Sequence, residues 1–282
     1  MKKQVVAFAL LSLLIPGLLQ ARQDNHDFQR FLTDRSQIHP KPKEYFIDVL
    51  APHLWDDSKA AFSGNNVPYW LGAGGAAAMA YSRDQKVRDY FLNEHPLGDA
   101  KNFGNFFGEG YTQAGVALAF WGAGFLADNQ QIASTGEVLM EAEIINGIST
   151  TVFKSIVGRE RPDRNGRDSF PSGHSSDTFC FAAVIDHRLG HLWGIPAYSL
   201  AVLTGLSRME SDRHYLSDVV MGAGLGMIIG YSVSAHHDDW PYRERWHYTD
   251  KKKKLLENAY YLPIIPENGK NQLGFSVYIP VD

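Results

Sequence analysis

Three short segments of the chain hold side chains whose types and spacing could do chemistry together. They run from Lys154 to Pro162, from Pro171 to His174 and from Ser207 to Asp218. Between them they offer fixed cations, a hydroxyl, a glycine turn, two imidazoles and a carboxylate. Such a set can bind a tetrahedral oxyanion and attack its central atom with an imidazole. No segment indicates this alone, but their combination and order do.

The first segment places two cations seven positions apart. If it is helical, Lys154 and Arg161 are separated by about two turns, with Arg161 near a helix end that Pro162 closes. Arg161 can hold two oxygens of one phosphate, while Lys154 acts as a point charge. Arg159 and Glu160 lie inside this spacing and have no required role in the scheme. The alternative is an ordinary basic helix end exposed to solvent.

The second segment predicts the start of a helix. Ser172 suits the N-cap position before an apolar run, and the free backbone N–H groups of a helix start bind phosphate. Gly173, which precedes His174, lets the backbone approach a ligand closely. The alternative is an ordinary capped helix after Pro171.

The third segment supplies the cation Arg208 and an imidazole with a carboxylate four residues later. If the chain is helical from Arg213, His214 and Asp218 lie on one helix face. A carboxylate bonded to one imidazole nitrogen fixes the tautomer and leaves the other nitrogen free as a nucleophile. The alternative is a salt-bridged helix in which Asp212 or Arg213 takes part.

Apolar stretches rich in glycine and alanine surround these segments and predict helices that pack closely on one another. The stretches are 67–81, 113–127, 136–157, 175–187, 193–206 and 216–233. Most are shorter than the ~20 apolar residues that cross a bilayer, and acidic residues interrupt several of them. The expected fold class is therefore all-α, a compact helical bundle at or on a membrane.

The N-terminal part of the chain differs from this central region. Two lysines, an apolar run and a small residue give residues 1–21 the layout of an export signal. Leu19 stands where a small residue is preferred before a cleavage site, so an uncleaved N-terminal anchor is the alternative. Residues 22–60 are expected to form an N-terminal arm, and residues 61–237 the helical domain.

Residues 238–282 are expected to form a C-terminal extension. Tryptophans and tyrosines there lead into the lysine run 251–254. Aromatic residues beside lysines suit a lipid headgroup layer, and a solvated helix start is an equal alternative. The segment 260–281 has β-prone residues on both sides of a turn and predicts a short hairpin.

Composition excludes some classes of function. The formal net charge of −4 argues against general nucleic-acid binding, although 154–168 has a local excess of Lys and Arg that suits an anionic substrate. Cys180 is the only cysteine, so no intramolecular disulfide can form. The run 236–239, His-His-Asp-Asp, is the one tempting metal cluster, but consecutive residues converge poorly on one ion. A flexible, solvated segment is expected there, and no metal or cofactor is predicted.

Taken together, the motifs resemble the type 2 phosphatidic acid phosphatases, a superfamily shared with bacterial class A acid phosphatases and vanadium haloperoxidases. Every position of the family pattern is present: Lys154, Arg161 and Pro162; Pro171, Ser172, Gly173 and His174; Ser207, Arg208, His214 and Asp218. The resemblance is densest over 141–230 and does not explain the ends of the chain. It implies a helical bundle whose motifs meet at one end.

The resemblance also implies a role for each residue. His214 would attack phosphorus to form a phosphohistidine, and Asp218 would orient it. His174 would protonate the leaving oxygen and then activate the water that releases phosphate. The residues that would hold the phosphoryl oxygens are Lys154, Arg161, Ser172, Gly173 and Arg208. Fixed cations stand where other phosphatases place a metal.

These expectations describe an exported phosphatase of the cell envelope, on the periplasmic side and associated with the membrane surface. Its expected substrates are phosphate monoesters or pyrophosphates, with a phosphorylated lipid preferred to a small soluble phosphoester. The alternatives are a periplasmic acid phosphatase for soluble phosphomonoesters and a phosphotransferase that uses the same residues. A vanadium haloperoxidase, which is typically a longer chain, and a non-catalytic anion-binding protein are less favoured.

Overall fold

A computed structural model describes residues 51–127 and 129–239 and, further along the chain, 260–264 and 274–278. The export signal, most of the N-terminal arm and the lysine run lie outside the described residues. The helices are α1 Ala51–Ala61, α2 Val67–Tyr81, α3 Asp84–Glu94, α4 Ala100–Phe107, α5 Gly110–Leu126, α6 Gln130–Val157, α7 Gly173–Leu189, α8 His191–Glu210 and α9 Leu216–Asp239. The strands are β1 Tyr260–Ile264 and β2 Gly274–Tyr278.

The long helices follow the apolar stretches of the sequence. Helix α2 coincides with the stretch 67–81, and α9 contains the whole of 216–233. The predicted fold class, an all-α bundle, is confirmed. The sequence analysis does not predict α3 and α4, because α3 is rich in charged residues and α4 has only 8 residues.

Helices α6, α7 and α9 form the centre of the bundle. Val138 and Leu139 on α6, Cys180 on α7, and Leu225 and Ile229 on α9 are each at most 1% exposed. Burying such side chains is the main favourable contribution to folding. The single cysteine therefore acts as a small apolar core residue.

Three glycines, Gly222, Gly226 and Gly230, lie four residues apart on the face of α9 that meets α7. A Cβ atom at Gly222 would lie 2.5 Å from the carbonyl oxygen of Ser172 and 3.2 Å from Cβ of Ser175. Since residues four apart share one helix face, the missing side chains let the two backbones approach closely. This close contact fixes the spacing of α7 and α9 near the motif residues.

Four helix ends that carry motif residues come together. Helix α6 ends after Lys154, α7 begins before His174, α8 ends after Arg208, and α9 begins before Asp218. A chain that runs along one helix and returns along the next brings the end of the first beside the start of the second. Accordingly, the charges of Arg208 and Lys154 both act on the imidazole of His174.

The histidines at the end of α9 are helical and paired, so the expectation of a flexible, solvated segment is wrong. Nδ1 of His236 lies 2.6 Å from Oδ1 of Asp57, and Nδ1 of His237 lies 3.5 Å from Oε2 of Glu141. Neighbouring residues on a helix point in different directions, so each histidine reaches a different buried acid. Across 51–127 and 129–239, no group of three or more His, Cys, Asp or Glu side chains is arranged to hold a metal ion.

Residues Met1–Asp238 and Asp239–Asp282 form two separate compact units. In the second unit β1 and β2 pair antiparallel, with Tyr260 opposite Tyr278, as the predicted hairpin requires. In the first unit, one segment of the described chain, Leu216–His237, has the length and mean hydropathy (1.5) to cross a membrane. Of its most apolar window, 61% is buried inside the protein.

Candidate active site

The loop between α6 and α7 carries Arg161, and this loop begins earlier in the chain than the sequence predicts. Helix α6 ends at Val157, and Gly158 caps it in the left-handed conformation, with φ of 57° and its N–H bonded to the Lys154 carbonyl. Glycine adopts this conformation without steric cost. Lys154 therefore lies in the last helical turn, whereas Arg161 lies in the loop, and Pro162 does not end the helix.

His214 is 3% exposed and lies just before α9, not within it. Its Nδ1 is 2.8 Å from the backbone carbonyl oxygen of Ser169. Because a carbonyl oxygen only accepts, Nδ1 carries the hydrogen and Nε2 of the neutral ring keeps its lone pair. Burial lowers the pKa of His214, against the effect of Asp218, and so favours the neutral ring.

The predicted hydrogen bond between Asp218 and His214 is not formed. Oδ2 of Asp218 lies 3.8 Å from Nδ1 of His214, because the chain is not helical at His214 and the Ser169 carbonyl occupies that nitrogen. The fully buried carboxylate of Asp218 instead accepts from Oγ of Ser169 at 2.6 Å and from the N–H of Tyr215 at 2.8 Å. Ser169 thus lies between the carboxylate and the imidazole and contacts both.

Two of the predicted phosphate-binding cations meet at Asp168. Arg161 donates from Nε and Nη2 to the two carboxylate oxygens, each at 2.7 Å, and Nζ of Lys154 donates to the backbone carbonyl of Asp168 at 2.7 Å. Nη1 of Arg161 is buried and makes no hydrogen bond within the part of the chain that the structure describes. Asp168 therefore fixes the orientation of the Arg161 guanidinium, and Nη1 remains available to donate to an anion.

Arg208 supplies the third cation from the last turn of α8. It is 9% exposed, and its Nη1 donates to Oδ1 of Asn105 at 2.9 Å. Burial, and then the charges of Arg213 and Arg161, lower the pKa of Arg208 to about 10. An anion placed among such cations would relieve their mutual repulsion, so this end of the bundle favours a negatively charged ligand.

His174 lies in the first turn of α7 beside these cations. Its pKa is lowered to about 3, first by burial and then by the positive charge of Arg208 and the other nearby bases. Its Nε2 is 3.2 Å from Oε1 of Glu109, which precedes α5. The ring is therefore neutral in the free protein, and the negative charge of a bound phosphate would raise its affinity for a proton.

The start of α7 faces the same region. Ser172 occupies the N-cap, is fully buried, and accepts from the N–H of Ser175 at 3.5 Å. A Cβ atom at Gly173 would make only ordinary contacts, 3.7 Å to Cγ2 of Thr150 and 3.9 Å to Cε of Lys154. The protein leaves room at this position, where the N–H groups and the dipole of the helix favour an anion.

The sequence analysis missed several residues that hold the site together: Arg159, Asp168, Ser169 and Asn105. Nη1 of Arg159 donates to Oδ1 of Asp218 at 2.6 Å, although no role was assigned to Arg159. Three of the four lie within three residues of a motif residue, so their position was a usable signal. Asn105 lies 103 residues from its partner Arg208 and carries no such signal.

The arrangement suits phosphoryl transfer. It combines an imidazole nitrogen that keeps its lone pair, a second imidazole, three cations and the start of a helix. The nitrogen with the lone pair can act as a nucleophile, and the second imidazole can act as an acid and a base. The cations and the helix start can bind the oxygens of a phosphoryl group.

Residues 138–241 match the family model described as the PAP2 superfamily, which confirms the resemblance predicted from the motifs. A lipid A 1-phosphatase from Porphyromonas gingivalis is 37% identical over 76 residues, which are 26% of this chain and 17% of that protein. Phosphatidylglycerophosphatase B from Bacillus subtilis is 33% identical over 97 residues, which are 29% of this chain and 48% of that protein. The chain therefore spans less than half of the length of these curated relatives.

The fold is similar to the crystal structure of a transmembrane PAP2-type phosphatidylglycerolphosphate phosphatase from Bacillus subtilis. The two chains superpose with a TM-score of 0.50 and 19% sequence identity, and the match covers 69% of this chain and 97% of that one. At this identity the similarity concerns the fold. The two proteins therefore share a helical-bundle fold.

Proposed function

We propose that this chain, whose residues 138–241 match the PAP2 superfamily, is a metal-independent phosphatase that acts on a phosphorylated lipid through a phosphohistidine. The observation that carries the proposal is the hydrogen bond from Nδ1 of His214 to the Ser169 carbonyl. This bond fixes the tautomer in which Nε2 keeps a lone pair, and the charges of Lys154 and Arg208 act on the same ring.

In the first step Nε2 of His214 attacks phosphorus, and a P–N bond forms as the bond to the leaving oxygen breaks. Lys154, Arg161 and Arg208 neutralise charge on the phosphoryl oxygens, together with the N–H groups at the start of α7. His174 gives its proton to the leaving oxygen. It holds that proton only when the substrate is bound, because its pKa in the free protein is about 3.

In the second step water replaces His214 on phosphorus. The neutral His174 left by the first step accepts a proton from the water, whose oxygen attacks phosphorus as the P–N bond breaks. Phosphate is released, and the electron pair of that bond returns to Nε2. The hydrogen bond to Ser169 holds Nδ1–H in place in both steps, so the ring does not have to change its tautomer.

Two observations support a lipid as the substrate. Leu71, Met79, Ile156 and Leu192 are 71–81% exposed, and Ile156 lies two residues from Lys154. Large exposed apolar side chains suit contact with a membrane or with acyl chains. In addition, both curated relatives are named for phosphorylated lipids. These observations support membrane association, and the layout of residues 1–21 as an export signal is the ground for proposing that the site faces the periplasm.

Phosphate release from a panel of substrates tests the reaction and the substrate class together. The panel holds a lysophosphatidate, a phosphatidylglycerophosphate, a polyprenyl pyrophosphate and a soluble aryl phosphate, each with chelator present. The proteins are the wild type, His214→Ala and the control His191→Ala, whose side chain is 88% exposed at the start of α8. We expect chelator-resistant release by the wild type and by the control, and none by His214→Ala.

The outcomes separate the alternatives. Turnover that survives in His214→Ala would contradict the phosphohistidine mechanism. A preference for the aryl phosphate over every lipid would favour a soluble-substrate acid phosphatase. The intermediate can be trapped directly, because phosphohistidine formed from labelled substrate is stable in alkali and labile in acid.

A further inference from the structure

Arg159 lies in the loop after α6 and is shared between two buried carboxylates. Its Nη1 donates to Oδ1 of Asp218 at 2.6 Å, and its Nη2 donates to Oδ2 of Asp84 at 2.7 Å. The guanidinium also lies over the ring of Tyr215, 4.2 Å from its centroid. Asp218 and Asp84 are 0% and 5% exposed. Nη1 also donates to the Ser217 hydroxyl at 2.7 Å, and a planar cation with three fixed acceptors and a stacked ring is held in one orientation.

Asp84, at the start of α3, holds the far side of this guanidinium. Its Oδ1 accepts the N–H of Ser217 at 2.8 Å, and its Oδ2 accepts the Ser217 hydroxyl at 2.7 Å. Ser217 immediately precedes Asp218, so Asp84 ties α3 to the start of α9. Asp84 also lies outside residues 138–241, so this contact comes from a part of the chain that the family model does not cover.

A continuous set of short contacts leads from Arg159 to His214. Asp218 receives Arg159 on Oδ1 at 2.6 Å and the Ser169 hydroxyl on Oδ2 at 2.6 Å. The carbonyl of the same serine receives Nδ1–H of His214 at 2.8 Å. With Oδ1 bonded to Arg159 and Oδ2 bonded to Ser169, the carboxylate stays 3.8 Å from the imidazole.

We propose that Arg159, held in place by Asp84, is the positioning residue that aims Nε2 of His214 at phosphorus. This inference rests on the proposed function. Arg159 acts through its neighbours: it donates to Asp218, Asp218 accepts from the Ser169 hydroxyl, and the Ser169 carbonyl accepts from the ring. If Arg159 were absent, Asp218 could turn to Nδ1 of His214 and the ring would move with it.

Arg159 also influences the charge state of His214. The ionisable groups that face His214 or its partner Asp218 are Lys154 on α6, His174 on α7, Arg208 on α8, Asp218 on α9, and Arg159. Loss of the positive charge at Arg159 leaves Asp218 uncompensated, which raises the pKa of His214. Loss of the negative charge at Asp84 lets the positive charge of Arg159 compensate Asp218 more fully. The negative charge that acts on His214 is then smaller, and its pKa falls.

The test is the pH dependence of kcat/KM for the aryl phosphate. Its acid limb reports the protonation of the nucleophile, which must be neutral to attack. We expect Arg159→Met to shift this limb to higher pH and to lower kcat about 10²-fold, the effect of a misplaced reacting group. Asp84→Asn should shift the limb to lower pH. Arg159→Lys keeps the charge, so it should leave the limb in place and restore part of kcat.

Arg188→Met is the matched control, because Arg188 lies near the far end of α7 and donates to Ser134. It should leave both the limb and kcat unchanged. The inference is overturned if the acid limbs of Arg159→Met and Asp84→Asn coincide with that of the wild type. If Arg159→Met does not fold, Asp84→Asn and Arg159→Lys decide the matter: the acid limb must move to lower pH in Asp84→Asn and stay in place in Arg159→Lys, and an unshifted limb in Asp84→Asn overturns the inference.

A measurement that needs no turnover separates this inference from the proposed function. Histidine-selective ¹⁵N NMR reports which ring nitrogen carries the hydrogen, and His214→Gln identifies the signals of His214. We expect a neutral Nδ1–H ring in the wild type and a changed titration in Arg159→Met. Wild-type protein that releases no phosphate but shows these signals would refute the proposed function alone. An unchanged His214 titration in Arg159→Met would refute the positioning role alone.

Discussion

Gly222→Ala is expected to disturb the active site through the contact between α9 and α7, because it adds one methyl group between these helices. Gly222 is buried, and the new Cβ would lie 2.5 Å from the carbonyl oxygen of Ser172 and 3.3 Å from the amide nitrogen of Ser176. Both are backbone atoms, so no side-chain rotation can relieve the contact. Ser172 is the N-cap of the helix that carries His174, so the strain acts directly on the phosphate-binding turn.

The size of the effect follows from these distances. Ordinary van der Waals contact begins at 3.4 Å, so the helix start must move by 0.9 Å (3.4 − 2.5). Overpacking of this kind costs about 1–3 kcal/mol in the free energy of unfolding. A misplacement of about 1 Å in an active site can cost about 10²-fold in rate. The variant should therefore lose both stability and kcat.

Thermal unfolding and kcat should be measured beside the control Gly147→Ala. Gly147 is also helical, but a Cβ there would have nothing within 4 Å. Replacing a helical glycine by alanine raises the free energy of unfolding by about 0.5–1 kcal/mol in both variants. The difference in melting temperature between the two variants therefore reports the packing against α7 alone. Equal melting temperatures for the two variants, with kcat of Gly222→Ala unchanged, would refute the close packing of these helices.

Two further predictions concern the anion site and the acid. Inorganic phosphate at about 100 times its Kd should raise the free energy of unfolding, measured by calorimetry, by about 2.7 kcal/mol. The increase should be smaller in Arg161→Ala at the same phosphate concentration. A wild-type melting temperature that does not rise with phosphate would contradict the binding of an anion by these cations. His174→Asn should lower kcat/KM for an alkyl phosphate by about 10²–10⁴-fold, the usual size of general acid catalysis. Its effect on a nitrophenyl phosphate should be much smaller, because nitrophenolate leaves without a proton. Equal losses for both esters would show that His174 does not protonate the leaving oxygen.

The sequence by itself determined the features that depend on neighbouring residues. The apolar stretches predicted the long helices because helical periodicity is local, and α2 matches its stretch 67–81 from end to end. Ser172 marked the start of α7 because an N-cap bonds to N–H groups two or three positions later. The same N-cap placed His174 in the first turn of α7, whereas Arg161 and His214 lie outside the helices that the spacing predicted for them.

Only the tertiary structure decided how these groups are oriented. His214 is bonded to a backbone carbonyl, and every residue has such a carbonyl, so no residue type marks this contact in the sequence. Arg161 leaves the helix because Gly158 turns the chain first, although Pro162 was the more obvious helix breaker. Asp84 reaches Ser217 across 133 positions of the chain, and a contact of that separation depends on how whole helices pack. Residue types and spacing therefore indicated the chemistry, while long-range packing and backbone hydrogen bonds set the direction of each reacting atom.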